Sequence, residues 1–255
     1  MTEVREMTDP LSRLLDQNDW LLADGATGTN LFNMGLESGE PPELWNVDQP
    51  DRIRTLYRGA VEAGSDLFLT NSFGGNASRL KLHKAQGRVA ELNRAAAELG
   101  REVADRAGRA VIVAGSIGPT GEIMEPVGTL THSLAVEMFH ETADGLKAGG
   151  ADIGWLETIS APEEYRAAAE GFALAGLPWF GTMSFDTAGR TMMGMTPEDA
   201  AVFCQGLDVS PVAFGANCGN GPAELVNAMT RLAAAARADA VLIAKSNCGI
   251  PEFID

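Results

Sequence analysis

Basic residues are in short supply in this chain: 19 Lys and Arg stand against 35 Asp and Glu, a formal net charge of −16 over 255 residues. A surface so acidic repels phosphate backbones and anionic lipid heads, which argues against nucleic acid and membrane surfaces as partners. No apolar run approaches the length of a membrane span, and the N-terminal MTEVREMTDPLSRLLDQ is charged throughout, without the apolar core of a signal peptide. A cytoplasmic location is expected. Cysteine is scarce as well, and an odd three (Cys204, Cys218, Cys248) suits a reducing compartment rather than a disulfide framework. His83, His132 and His140 show no metal-ligand spacing. The segment Gly115 to Gly121, GSIGPTG, is only loosely like a phosphate cradle, since it lacks both the Walker lysine and the G-x-G-x-x-G spacing.

What the chain does have is alternation. Residues 3 to 18 carry Leu11, Leu14 and Leu15 at helical spacing and predict a leading helix able to plug the bottom of a barrel. Trp20 to Ala23 reads as a short first strand giving way to the glycine-rich turn Asp24 to Thr29, and a Pro-rich loop, Glu40 to Asn46, follows. Helices are expected over 51–63, to about 107, and over 132–148, 162–175, 197–207 and 222–237, with strands at 66–71, 110–118, 151–158, 178–185, 212–218 and 240–247. That makes seven strands with no reversal of period, the pattern of a parallel sheet wrapped by helices. The length suits one α/β barrel of roughly 250 residues, so a single domain over 1–255 and a (β/α)8 TIM barrel are the expectation. A last helix and an eighth strand, on the order of 30 residues, would lie beyond the given chain.

In such a barrel the strand ends share one rim, which gathers Asp24, Asn71, Ser72, Ser116, Glu157, Ser184, Asp186, Cys218, Asn247 and Cys248. Asp24 and Glu157 follow apolar strands directly. A pair of acids can hold an ammonium by charge-assisted hydrogen bonds, as an amino-acid substrate would need, although each could equally cap a turn or helix. Cys218 ends the strand VAFGANC and precedes Gly-Asn-Gly-Pro, whose backbone can approach a ligand closely; its thiol could be a nucleophile, a metal ligand or a core filler. Cys204, in the helical AAVFCQGL, reads as an inert buried thiol. Met192, Met193 and Met195 could line an apolar pocket or serve as adaptable packing.

The segments DGATGT (24–29), PELWN (42–46), EAGSDLFLTNSFGGN (62–76), SIGPTGE (116–122), GADIGWLET (150–158), MSFDTAGRTMMG (183–194) and GANCGNGP (215–222) resemble the homocysteine S-methyltransferase family, in order and over nearly the whole chain. The resemblance implies a barrel enzyme that transfers a methyl group to the thiol of homocysteine, forming methionine, with zinc as cofactor. It implies Cys218 as catalytic residue and zinc ligand, with the remaining zinc cysteines beyond Asp255. Asp24 and Glu157 would hold the homocysteine amino group, Gly25 would adjoin them, and the backbone of Thr70, Asn71, Ser72 and Phe73 would receive the carboxylate. Trp45 would be the one ring left of a cage for a quaternary ammonium, since Gly74 and Thr158 stand where further rings would be expected. That departure disfavours betaine as methyl donor and favours a sulfonium donor or a separate corrinoid protein. The alternative implied is a non-catalytic homocysteine-binding module working with such a partner.

Overall fold

The computed structural model describes residues 10–249. Six strands lie in one sheet in chain order: β1 (Leu67–Leu69), β2 (Ile112–Ile117), β3 (Ile153–Ile159), β4 (Trp179–Met183), β5 (Ala213–Cys218) and β6 (Leu242–Ser246). Each neighbouring pair is parallel. Parallel neighbours need long crossovers, supplied here by helices Val89–Asp105, His132–Ala148, Pro162–Ala175, Pro197–Gln205 and Pro222–Ala235. Helix Pro50–Glu62 leads into β1.

Period-two alternation sorts the strand residues between two cores. Leu67, Leu69, Ile112, Ala114, Ile153, Trp155, Phe180 and Ala213 pack together on the inner face. Their neighbours Phe68 and Val113, Leu156, Trp179 and Phe214 turn outward into the helix layer. The outer face comes close enough to its helices that a side chain at Gly181 would collide with the Tyr165 hydroxyl and the Trp179 ring. Leu11 and Leu14, on the short helix Pro10–Leu15, are buried among the inner-face residues, so the expected plug is present where it is described; residues 3–9 of that prediction lie outside the described residues.

The sheet curls into a half-barrel. Lys245, on β6, brings its Nζ to 3.6 Å from Asp24 Oδ1 at the opposite edge, so the first and last strand positions face each other across the concave side. Three expectations need correction. The first strand, over Trp20 to Ala23, is a single parallel bridge from Ala23 to Leu67: Trp20 is exposed, and Ala26, left-handed at φ 56°, ends any ladder three residues on. Thr27–Asn33 is a helix rather than a turn. The Pro-rich loop holds a 3-10 turn, Pro42–Leu44, running into helix Trp45–Asp48, with proline at the start of the turn, where its missing N–H costs nothing.

Candidate functional site

The alternation that buries Leu and Trp at the bottom of the inner face also dictates what faces inward at the top. Two-residue steps lead from Ala114 to Ser116, from Trp155 to Glu157, from Ala213 through Gly215 to Asn217, and from Val241 through Ile243 to Lys245. A cavity of about 580 Å³ opens there, lined among others by Ser116, Glu157, Thr158, Cys218, Lys245 and Asn247 on the sheet side. Thr70 to Gly74, Glu43, Arg79 and His83 line its other wall.

Glu157 is buried; Ser116 Oγ donates a short hydrogen bond to its Oε1, and Asn217 Nδ2 donates to Oε2 at 3.4 Å. Burial pushes its carboxyl above the ordinary range and the nearby Asp24 charge adds to this, while Lys245 and the Ser116 bond oppose them. Asp24 is likewise raised by burial and held down chiefly by Lys245. Lys245 acts on both acids. Asp24 and Gly25, however, line an adjoining cleft; Lys245 lines the main cavity and touches Asp24.

Asn217 was not singled out from the sequence, yet it ties the site together. Its Oδ1 accepts from Thr158 N at 2.8 Å, and its Nδ2 donates to Thr158 Oγ1 at 2.8 Å and Cys218 Sγ at 3.3 Å. Thr158 and Cys218 both adopt left-handed backbone, at φ 62° and 58°, rare for residues with a Cβ, and their side chains meet at 3.5 Å. The β3–β4 register shifts between Leu156 and Ile159, around Glu157 and Thr158. Bulges of this kind re-aim side chains next to functional sites. Cys218 therefore lies on the cavity wall in a conformation its neighbours enforce.

The segment Thr70 to Phe73 is buried at Thr70, Asn71 and Ser72, and most of its amides are already bonded. Thr70 N donates to Ala114 O, Asn71 N to the Tyr57 hydroxyl at 2.6 Å and Ser72 N to Thr70 O. Ser72 Oγ donates to Ser116 O, and the Asn71 side chain reaches Pro42 O and Asn46. Among the described residues, the Phe73 N–H is the one amide of the four left without an acceptor. Glu43, also missed from the sequence, accepts from Gly74 N at 2.6 Å, and burial raises its carboxyl.

Other expected residues fall elsewhere. Trp45 is packed in the outer core with Leu31, Ile53 and Tyr57 and lies under the Arg52 guanidinium at 4.7 Å, so this ring does not face the cavity. Its helix, hidden from the sequence reading, turns it to the outer layer. Cys204 is buried on the helix layer, its thiol pushed up to about 12 by burial, and donates to the Tyr165 hydroxyl. Cys248, Met192 and Met193 are exposed; Ser184 and Asp186 bond each other away from the cavity lining. Among the described residues no three or more His, Cys, Asp or Glu side chains cluster as a metal site. No helix among them is long and apolar enough to cross a membrane.

Known proteins resemble the chain in sequence and in fold. The model of a family described as homocysteine S-methyltransferase matches residues 21–255. The methionine synthases of Mycobacterium tuberculosis and Mycobacterium leprae are 31% and 30% identical over 248 residues, covering 91% of this chain and 20% of theirs. The chain thus spans about a fifth of the length of these curated relatives. Among solved structures, the metallated form of the homocysteine methyltransferase MmuM from Escherichia coli superposes with a TM-score of 0.75 at 22% identity, over 94% of this chain and 95% of that one. Its oxidized form gives 0.73 at 23% identity over the same shares. At such identities the likeness bears on the fold alone.

Proposed function

Because the chain belongs to the homocysteine S-methyltransferase family, we propose that it transfers a methyl group to the thiol of homocysteine, forming methionine. The observation that carries this reading is the meeting, at one cavity, of the buried Glu157 carboxylate, the Cys218 thiol and an unpaired backbone N–H, with the Asp24 carboxylate next to the cavity behind Lys245. Asp24 and Glu157 take the substrate ammonium, which needs anionic partners where water is excluded. Phe73 N–H takes the carboxylate, with Gly74 and Ser72 shaping the turn that presents it. The substrate sulfur then lies toward Cys218 and Thr158. In the transfer the thiol gives its proton up to solvent and the thiolate sulfur attacks the methyl carbon in line; a sulfur–carbon bond forms as the bond from methyl to donor breaks, and the donor leaves with that electron pair. The curled six-strand sheet supports reading the fold as part of the (β/α)8 barrel that the resemblance implies.

Zinc enters this proposal through Cys218 alone. The described residues place one thiol on the cavity wall, one corner of the four that tetrahedral zinc requires, so they do not complete a site, and further ligands would come from outside them. Zinc content of Cys218→Ala against the parent tests that ligand: a fall is expected, and unchanged zinc removes Cys218 from the metal.

The donor reading favours a sulfonium or a methylcobalamin source over betaine. Among the described residues Phe73 is the one Phe, Tyr or Trp that lines the cavity, and a side chain on Gly74 would meet the Glu43 carboxylate at 2.9 Å, so the described residues form no cage of rings around it. Methionine formation from homocysteine, with zinc supplied and betaine, S-methylmethionine and methylcobalamin compared side by side, tests both points. Turnover with the sulfonium or methylcobalamin exceeding that with betaine is expected. Betaine fastest would overturn the donor reading, and no methionine from any donor would overturn the function.

A further inference from the structure

Lys245 is a charged residue at the mouth that the methyl-transfer scheme leaves without work. It follows Val241 and Ile243 on the inner face, lines the cavity, and carries its Nζ to 3.6 Å from Asp24 Oδ1 and 5.6 Å from the Trp155 ring centroid. Asp24 Oδ2 is engaged by Leu69 N, but its buried Oδ1 has no hydrogen-bond partner among the described residues. Lys245 lines the cavity and Asp24 does not, so the lysine ammonium stands between that unbonded oxygen and any ligand in the cavity.

We propose that the Lys245 ammonium is the internal occupant of the substrate-ammonium subsite, neutralising Asp24 and Glu157 while the cavity is empty and yielding its place when an α-amino acid brings its own ammonium. The inference rests on the reading that these two acids take the amino group of the substrate. Three features make the exchange feasible. The contact to Asp24 is a charge contact longer than a hydrogen bond, so little directional bonding is lost on release. The side chain retains 18% exposure and ends a flexible four-carbon stem, which lets the ammonium swing toward water. Two ammonium groups at one carboxylate oxygen repel each other, so ligand and lysine compete. Lys245 is then a specificity-determining residue: only a ligand with its own cation can displace it and leave the acids neutralised.

The test compares homocysteine with 4-mercaptobutanoate, which keeps the thiol and carboxylate and lacks the amine. Amine-selective acylation, mapped by peptide mass spectrometry with the other lysines as internal reference, reports the accessibility of Lys245. Saturating homocysteine is expected to raise its labelling rate by about threefold or more as the free-lysine population grows, and 4-mercaptobutanoate to leave it unchanged. In Lys245→Met, removal of the internal competitor is expected to tighten homocysteine binding by about three- to tenfold, with 4-mercaptobutanoate within about twofold of the parent. If the parent prefers homocysteine but Lys245 stays shielded, or Lys245→Met weakens homocysteine, the displacement inference alone falls and the lysine is part of the bound site. If the parent binds both thiols equally, the amino-group reading beneath it falls as well.

Discussion

Asn217 and Glu157 show how a few buried polar atoms set the geometry of this site. Asn217 is nearly fully buried and bonds Glu157, Thr158 and Cys218 at once, so its amide fixes the two left-handed residues against each other. Asn217→Ala is expected to lower kcat/KM for methyl transfer by about tenfold or more, the loss of a buried bonded network near the reacting atoms, with the cooperative melt retained. Activity equal to the parent would reduce Asn217 to a strand-end residue. Glu157 has the opposite energetic sign. Its carboxyl is raised by burial, so the folded chain binds that proton more tightly than the unfolded one, and stability is lost as pH rises from about 4 through the raised value. Glu157→Gln should therefore melt higher than the parent at pH 8, by roughly 2–4 °C for each kcal/mol recovered, with the difference vanishing near pH 4. A lower Tm at pH 8 would show the charged form to be stabilising. Asp24, Glu157 and Cys218 stood out in the sequence because each directly follows or ends an apolar run. Asn217 and Lys245 were not, because a neutral amide and a lone lysine carry no motif. Counting in twos from Ala213 and Val241 would have placed both inside. Trp45 was offered as a cage ring by the family resemblance, while the short helix that sets its ring in the outer core has no strong signal of its own.

Among the elements, the long helices and β2 to β5 were readable from periodicity, since each of these strands is an almost wholly buried, largely apolar run, while β6 is half-buried and was read from its short apolar run alone. The first strand was not, because burying Leu21 and Ala23 while Trp20 and Leu22 face water leaves too few residues to sustain a ladder. The short helix Pro10–Leu15 works through burial rather than length: Leu11 and Leu14 close the bottom of the inner core against β1 to β5. Leu14→Ala is expected to cost about 2–5 kcal/mol, the usual range for emptying a well-packed leucine site, measured as a shift in the denaturant midpoint. A shift under about 0.5 kcal/mol, typical of surface positions, would show that the helix is not a plug.

At the scale of the whole molecule, the curl of the sheet brings Lys245 to 3.6 Å from Asp24 although the two are 221 positions apart in the chain. The net charge of −16 bears on solubility and partners, whereas the proposed recognition of an amino group rests on a few buried charges inside the curl. The claim that the curl creates a subsite for an amino group is open to direct calorimetric measurement, with homocysteine and 4-mercaptobutanoate titrated into the parent and into Glu157→Gln. An ammonium held by charge-assisted bonds is worth about 1.5–3 kcal/mol, so the parent is expected to prefer homocysteine by roughly tenfold or more, and Glu157→Gln to lose most of that preference while binding 4-mercaptobutanoate nearly as before. Equal loss of affinity for the two thiols would contradict the assignment and return Glu157 to a structural role.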